Sequence, residues 1–303
     1  MKTERQRRMG LRGLFTALIV VACAFISVRG DELQGRIEDL IRASGAERVA
    51  VALVDLETGR RLLIDADASF HAASTMKVPV MMEIYRQTRQ GKLTLDEQLL
   101  IKNEFRSIAD GSPYSLSPED DSEKTLYERI GQRATVRELV HLMITESSNL
   151  ATNLLIERVT PERIMELVES LGAHGMRVLR GVEDGKAYRQ GLNNTTTARA
   201  LMSLLQAIAE DRAVDREASE QMRQTLLAQK FNEGIPAGLP PTVRVAHKTG
   251  SISGVYHDAG IIYAPNRKPY VLVVLTRGVQ DEKRAHRLVA DISRAAYESL
   301  VRR

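Results

Sequence analysis

Residues His71–Val80 read HAASTMKVPV and contain the only S-x-x-K motif in the chain, Ser74-Thr75-Met76-Lys77. The segment Val78–Gln90, which begins with an apolar run, follows and is predicted to be helical, which places Ser74 at a helix N-terminus. Residues three apart on a helix share a face, so the Ser74 hydroxyl and the Lys77 amine would lie together. Backbone N–H groups at a helix start favour an oxyanion, and a desolvated lysine can accept a serine proton. The motif predicts a serine nucleophile, and the alternative is a serine that only caps the helix.

Two further polar clusters follow in the sequence. Ser147-Ser148-Asn149 lies between two predicted helices, and Lys248-Thr249-Gly250-Ser251 ends a predicted strand. Each has an ordinary alternative, because Ser-Ser-Asn is a good helix cap and Lys-Thr-Gly is a good exit from a strand into a turn. The order S-x-x-K, S-x-N, K-T-G is that of serine enzymes that recognise penicillin.

The pattern of helices and strands predicts an α/β (α+β) fold. Strand signals lie near both ends of the chain, and helix signals fill the middle. We expect one antiparallel sheet built from both chain ends and flanked by helices, with an all-helical subdomain inserted. The predicted division is an α/β part at residues 31–70 and 240–303, and a mainly helical part at 71–239.

Composition and charge exclude several classes of protein. The 303 residues are 43% hydrophobic and 27% charged, which is ordinary for a globular protein. The net charge of +4 arises from residues 1–30, which hold six Lys or Arg and one Glu, while residues 31–303 hold 37 basic and 38 acidic residues. Binding to nucleic acid depends on clustered positive charge, so no nucleic-acid partner is expected.

Residues 1–30 have the pattern of a signal peptide or N-terminal anchor. A basic stretch precedes the apolar run Leu14–Val28, which is short for a membrane-spanning helix. Val28-Arg29-Gly30 offers a weak cleavage site, and an alternative is a lipobox that ends at a lipidated Cys23. Cleaved, lipidated or retained, the leader predicts an exported protein that is periplasmic or secreted. Cys23 is the only cysteine, so no disulfide is expected.

Several catalytic chemistries have no support in the sequence. There is no G-x-S-x-G, no phosphate-binding glycine loop, and no zinc-binding spacing among the six histidines. No metal or other cofactor is therefore expected. Two segments lack periodicity: Lys102–Lys124, interpreted as a solvated loop, and Arg180–Asn194, which is functional or disordered.

The chain resembles the class A β-lactamases and related penicillin-recognising serine enzymes. The resemblance covers nearly all of residues 31–303 and is carried by these segments: Val49–Arg61 (VAVALVDLETGRR), His71–Val80, Thr135–Leu155 (TVRELVHLMITESSNLATNLL), Lys248–Ser251 and Gly260–Pro265. It implies the β-lactamase/transpeptidase-like fold and a class A-like catalytic domain over residues 31–303. It also implies hydrolysis of a cyclic amide through an acyl-enzyme.

The resemblance implies a role for each matching residue. Ser74 would be acylated, Lys77 would take its proton, and Ser147 would relay a proton to the leaving nitrogen. Asn149 would bind the side-chain amide of the substrate. The segment Lys248-Thr249-Gly250-Ser251 would bind the substrate, with Lys248, Thr249 and Ser251 holding its carboxylate. The backbone N–H groups of Ser74 and Ser251 would form the oxyanion hole.

The sequence departs from the family pattern at two places. Class A enzymes carry Arg-x-Glu-x-x-Leu-Asn in a loop whose Glu activates the deacylating water, whereas Glu183 stands three residues after Arg180 and Leu192-Asn193 follow late. Glu183, or Asp184, is the candidate base, and the alternative is a solvated surface acid. The arginine often found after K-T-G is missing, and His257 is the candidate substitute unless it only packs.

Three functions are compatible with these residues. The first is a β-lactamase that acts in resistance to or catabolism of antibiotics. The second is a D-Ala-D-Ala peptidase-like or penicillin-binding acyl hydrolase with slow deacylation, and the third is an acylated β-lactam sensor. The expected partner is a small-molecule β-lactam or peptidoglycan-peptide substrate. No protein partner is implied, and we expect a monomer.

Overall fold

The computed structural model describes residues 32–301, and the predicted leader lies outside them. Its centre is a five-stranded antiparallel sheet with the strand order β2-β1-β11-β10-β9. The strands are β1 (Arg48–Asp55), β2 (Arg61–Ile64), β9 (Arg244–Ile252), β10 (Val255–Tyr263) and β11 (Tyr270–Arg277). The prediction of an antiparallel sheet drawn from both chain ends is confirmed.

The sheet lies between two hydrophobic cores because β1 alternates its side chains. Ala50, Ala52 and Val54 belong to the larger core, which extends through the helical part of the molecule. Val51 and Leu53 belong to the smaller core. Side chains of successive strand residues point to opposite faces, so an apolar strand of this kind needs a covering layer on each side.

Helices supply both layers. On the smaller core lie α1, over residues 32–44, and α9 (Glu282–Val301). The others are α2 (Lys77–Arg89), α3 (Val136–Thr145), α4 (Asn149–Val159), α5 (Pro161–Ser170), α6 (Gly185–Arg189), α7 (Ala198–Ala209) and α8 (Arg216–Leu227). Short strand pairs join the loops of this part: β3 (Phe70–His71) with β8 (Thr195–Thr196), β4 (Gln98–Leu100) with β7 (Arg133–Thr135), and β5 (Phe105–Arg106) with β6 (Pro113–Tyr114). The predicted boundaries between the two parts stay a prediction.

The strand that carries the K-T-G motif is longer than predicted. The sequence pattern ends it at Lys248, whereas β9 continues to Ile252 and pairs with β10 across a two-residue turn. Gly254 in this turn has a φ of +72°, which glycine adopts without steric cost. Lys248-Thr249-Gly250-Ser251 therefore lies within an edge strand and not at its exit.

No helix within residues 32–301 is both long and apolar enough to cross a membrane.

Candidate active site

Ser74 lies between two adjoining cavities. It stands on the 3₁₀ turn Ala73–Met76, which leads directly into α2. The first cavity, of about 560 Å³, is lined by Ser74, Ser147, Asn149 and the Thr249–Ser251 stretch. The second, of about 370 Å³, is lined by Ser74, Asn149, Glu183 and Ser251. Ser74 is thus reached from both sides of one cleft.

The turn that carries Ser74 packs closely on β9. A Cβ atom added at Gly250 would lie 3.0 Å from the backbone nitrogens of both Ser74 and Thr75. Glycine at this position allows the edge strand to approach the backbone of the serine turn. The absence of a side chain at Gly250 therefore helps to set the width of the cleft.

Lys77 is completely buried one turn after Ser74. Its Nζ donates to the Ser147 carbonyl oxygen at 2.6 Å, to Asn149 Oδ1 at 2.8 Å and to Ser147 Oγ at 3.2 Å. Burial lowers the pKa of Lys77 to about 7, although the carboxylates of Asp121 and Glu183 act in the opposite direction. A lysine in this state can exchange a proton near neutral pH.

Ser147 links two buried lysines. Its backbone φ is +58°, a left-handed conformation that a serine rarely adopts, and its Oγ accepts a hydrogen bond from each amine. The distances are 3.2 Å from Lys77 Nζ and 3.1 Å from Lys248 Nζ. Burial, together with the charge of Lys77, lowers the pKa of Lys248 well below its ordinary value. The hydroxyl thereby bridges two buried amines.

Glu183 reaches the same cleft from the 180–194 loop. Its Oε1 accepts a hydrogen bond from Asn149 Nδ2 at 2.7 Å, and Asn149 Oδ1 in turn accepts one from Lys77. The Ser117 backbone N–H lies 3.3 Å from Glu183 Oε2. Burial raises the pKa of Glu183, and the negative charge of Asp121 adds to this effect. The side chain is half-buried and faces the cavity that Ser74 lines, so it is not a solvated surface acid.

Hydrogen bonds fix both ends of the 180–194 loop and the residue next to Glu183. Arg180 donates to the Leu192 carbonyl oxygen at 2.8 Å, and its backbone N–H contacts Asn194 Oδ1. Asn153 on α4 accepts from the Val182 N–H at 2.7 Å and donates to the Val182 carbonyl oxygen. These bonds hold the residue next to Glu183 against the helix that begins with Asn149.

The interpretation of Lys102–Lys124 as a solvated loop holds for its many exposed residues but not for the whole segment. The segment forms β5 and β6 and binds the 180–194 loop through the buried Asp184. Asp184 accepts hydrogen bonds from Ser107 Oγ at 2.8 Å and from the Ile108 N–H at 3.0 Å. Part of the polarity of the segment therefore comes from groups that bond to another loop, a distinction that composition does not reveal.

Asp121 is the site residue that the sequence pattern did not single out. It is only 3% exposed, and its Oδ2 accepts from the N–H groups of Asn149 at 2.8 Å and Leu150 at 3.0 Å. The hydroxyl of Tyr127 donates to the same oxygen at 3.0 Å. In the sequence Asp121 ends a short acidic run, and no local signal separates it from its exposed neighbours.

His257 does not supply the missing positive charge. It is buried, its Nδ1 accepts from the Thr276 N–H at 3.1 Å, and its Nε2 donates to the His71 carbonyl oxygen at 2.9 Å. Burial lowers the pKa of His257 to about 4, so the ring is neutral near pH 7. The prediction that His257 substitutes for the missing arginine is therefore wrong. The structure supports the alternative, in which His257 only packs inside the protein.

Comparisons with known proteins agree with this architecture. The sequence pattern of the β-lactamase enzyme family matches residues 32–300. A β-lactamase of Streptomyces albus G is 30% identical over 274 residues, which cover 89% of this chain and 85% of that protein. An ancestral class A β-lactamase structure is 27% identical, with a TM-score of 0.75 over 88% of this chain and all of that chain (100%). A mutant of PBP-A, solved as an acyl-enzyme complex with penicillin G, is 25% identical, with a TM-score of 0.76 over 90% of this chain and 97% of that chain.

The fold and these matches identify the chain as a β-lactamase-type serine hydrolase of class A. The chain belongs to the β-lactamase enzyme family, as its motifs predicted.

Within residues 32–301, no group of three or more His, Cys, Asp or Glu side chains could hold a metal ion. The expectation of a reaction without a metal or other cofactor stays a prediction.

Proposed function

We propose that this protein is a serine β-lactamase that opens β-lactam rings through an acyl-enzyme on Ser74. Membership of the family supports the reaction class, and the named class A relatives support the substrate class. The observation that carries the proposal is the position of Glu183. Its carboxylate lines the same cavity as Ser74 and is joined to Lys77 through the amide of Asn149.

Acylation begins when Ser74 Oγ attacks the carbonyl carbon of the ring. Neutral Lys77 takes the hydroxyl proton, directly or through water, while the new C–O bond forms. The ring C–N bond then breaks, and the departing nitrogen receives a proton from the Ser147 hydroxyl, which regains one from Lys77. The hydrogen bond from Lys77 Nζ to Ser147 Oγ supports this relay.

The residues that line the cleft would bind the substrate. Lys248, Thr249 and Ser251 would hold the carboxylate of the substrate, and Asn149 would bind its side-chain amide. The backbone N–H groups of Ser74 and Ser251 would stabilise the oxyanion, and removing one such donor typically costs about 10²–10³-fold in rate. Gly250 keeps the two donor segments close to each other.

Deacylation requires a base that activates the attacking water molecule, and Glu183 fits this role. Its carboxylate would take a proton from a water molecule that attacks the ester carbon. The ester C–O bond would then break while this proton passes on to Ser74 Oγ, which restores the serine hydroxyl and the Glu183 carboxylate. Partial burial raises the pKa of Glu183, which makes the carboxylate a better proton acceptor than an exposed one.

The decisive experiment mixes residues 31–303 with penicillin G and follows the intact mass over time beside the turnover of a chromogenic cephalosporin. A Ser74 adduct that forms and disappears while many substrate molecules are hydrolysed supports the proposal. An adduct that persists for hours contradicts it and indicates a penicillin-binding peptidase or a sensor. Peptide mapping of the adduct identifies the acylated residue.

The rate of acylation should depend on the protonation of Lys77. The pKa of Lys77 is lowered to about 7 by burial, so the neutral amine predominates only above that pH. We expect the single-turnover acylation rate to rise with pH through a midpoint near 7 and then to level off. In Glu183→Gln the midpoint should fall, since the carboxylate that raises the pKa of Lys77 is lost. A rate independent of pH in this region would contradict Lys77 as the base.

The leader of residues 1–30 supports export, so we place the protein outside the cytoplasmic membrane. It would be periplasmic or secreted, and a retained leader would anchor it through Cys23 or the apolar run. We further propose that it acts as a monomer on a small-molecule substrate and without a protein partner.

A further inference from the structure

The buried carboxylate of Asp121 lies behind the serine and asparagine of the S-x-N motif. Asp121 belongs to the 102–124 segment, whereas Ser147 and Asn149 flank the start of α4. Its Oδ2 accepts three hydrogen bonds, and its Oδ1 accepts one from the Glu123 N–H at 3.1 Å. The donors of all these hydrogen bonds to Asp121 are therefore protein groups that surround the site.

Asp121 completes the N-terminus of α4. The first backbone N–H groups of a helix have no partner within the helix. Asp121 accepts from the first two of them, on Asn149 and Leu150, and Ser148 Oγ accepts from the third, on Ala151. Without Asp121, two buried donors next to the nucleophile would lose their acceptor, which costs free energy for each donor.

The same carboxylate fixes residues that contact Lys77. Asn149 offers its N–H to Asp121 and its side-chain oxygen to Lys77, so any movement of Asn149 changes the contacts of the amine. Ser147, two residues before Asn149, has a left-handed backbone, and such a conformation persists only where the surrounding structure fixes it. Lys77 therefore depends on Asp121 for the position of its hydrogen-bond acceptors.

We infer that Asp121 is a positioning residue for acylation, which holds Ser147 and Asn149 against Lys77 and supplies a negative charge to the amine. The inference rests on the proposed function, because it assumes that Ser74 is acylated with Lys77 as base. Asp121 itself touches neither the nucleophile nor the substrate cavity surface; it acts through α4 and Lys77.

The charge of Asp121 gives the inference a specific signature. The charged groups that act on Lys77 are Asp121 and Glu183, and Lys248 lies on the other side of Ser147. Asp121 raises the pKa of Lys77, so its neutralisation must lower that pKa further. A role in helix capping alone would leave the pH profile of acylation in place.

The test is Asp121→Asn, which keeps the size of the side chain and removes its charge. We expect single-turnover acylation by penicillin G to slow by about 10²-fold, because small misplacements of reacting groups cost that much. We also expect the acid limb of the acylation profile to move to lower pH, while the deacylation rate of the adduct changes less. Glu119→Gln, an exposed acid two residues away, is the matched control and should behave like the wild type.

A second variant separates charge from packing. Tyr127→Phe removes one hydrogen bond to Asp121 but leaves the carboxylate, so it should slow acylation less and leave the acid limb in place. Thermal unfolding of each variant shows whether it is folded. Acylation of a folded Asp121→Asn at the wild-type rate, or an unchanged acid limb, would overturn the inference. Failure of the wild-type protein to acylate at all would instead overturn the proposed function.

Discussion

In the Ser74→Ala variant, penicillin G should leave no covalent adduct, and β-lactam turnover should fall by about 10⁶-fold. The reason is that every later step of the proposed reaction occurs on an ester of Ser74 Oγ. The variant should fold normally, because Ser74 is the second residue of the 3₁₀ turn Ala73–Met76 and is not its N-cap, which is Ala72. Intact-mass spectrometry and chromogenic turnover measure both effects.

The matched control is Ser219→Ala on α8, away from the residues that line the cleft. The hydroxyl of Ser219 is buried and has no hydrogen-bond partner, so its removal should leave both turnover and the adduct unchanged. If Ser74→Ala still gave an adduct, peptide mapping would identify another nucleophile, and the assignment of Ser74 would be wrong.

The second large effect is expected for Glu183→Gln. Acylation should remain, whereas turnover should fall by about 10²–10⁴-fold, because the amide cannot accept a proton from the deacylating water. The acyl-enzyme should then accumulate as a stable species of increased mass. Glutamine can still accept the hydrogen bond from Asn149 Nδ2, so the loop should keep its position.

Glu169→Gln provides the control for this substitution. Glu169 is exposed on α5 and contacts His174 at 3.0 Å, away from the cleft. The Glu169→Gln variant should hydrolyse β-lactams at the wild-type rate. If Glu183→Gln slowed acylation and turnover equally without an adduct, Glu183 would act before the acyl-enzyme forms. Unchanged turnover would mean that the base for water lies elsewhere.

The parts of the site that the sequence predicted are those with a local pattern. Ser74 and Lys77 lie one helical turn apart, so their common location follows from their spacing, and the structure places Lys77 directly after the serine turn. The sheet of both chain ends was also predictable, because the hydrophobic patterns of β1, β10 and β11 are strong. The predicted end of β9 was wrong, since hairpin pairing carries this strand past the hydrophobic run.

The parts that the sequence could not predict depend on contacts between distant segments. Asp121 meets Asn149 across 28 positions, and nothing in an acidic run tells which of its members is buried. His257 was a candidate cation by position, but its ring is fixed by Thr276 and His71. The approach of Glu183 to Asn149 depends on the bonds of the 180–194 loop to α4 and to the 102–124 segment.

The topology of the sheet also determines when the protein can fold during its synthesis. β1 pairs with β11 from Arg48↔Arg277 to Asp55↔Tyr270. β1 is synthesised early and can form this pairing only after the much later β11 has been made. Native contacts that span most of a chain form slowly, and unpaired strands that wait for them are exposed to aggregation. One edge of β1 therefore stays unpaired in the nascent chain until residues 270–277 have been synthesised. Under the export that we propose, this delay would keep the chain unfolded until it reaches the transport machinery.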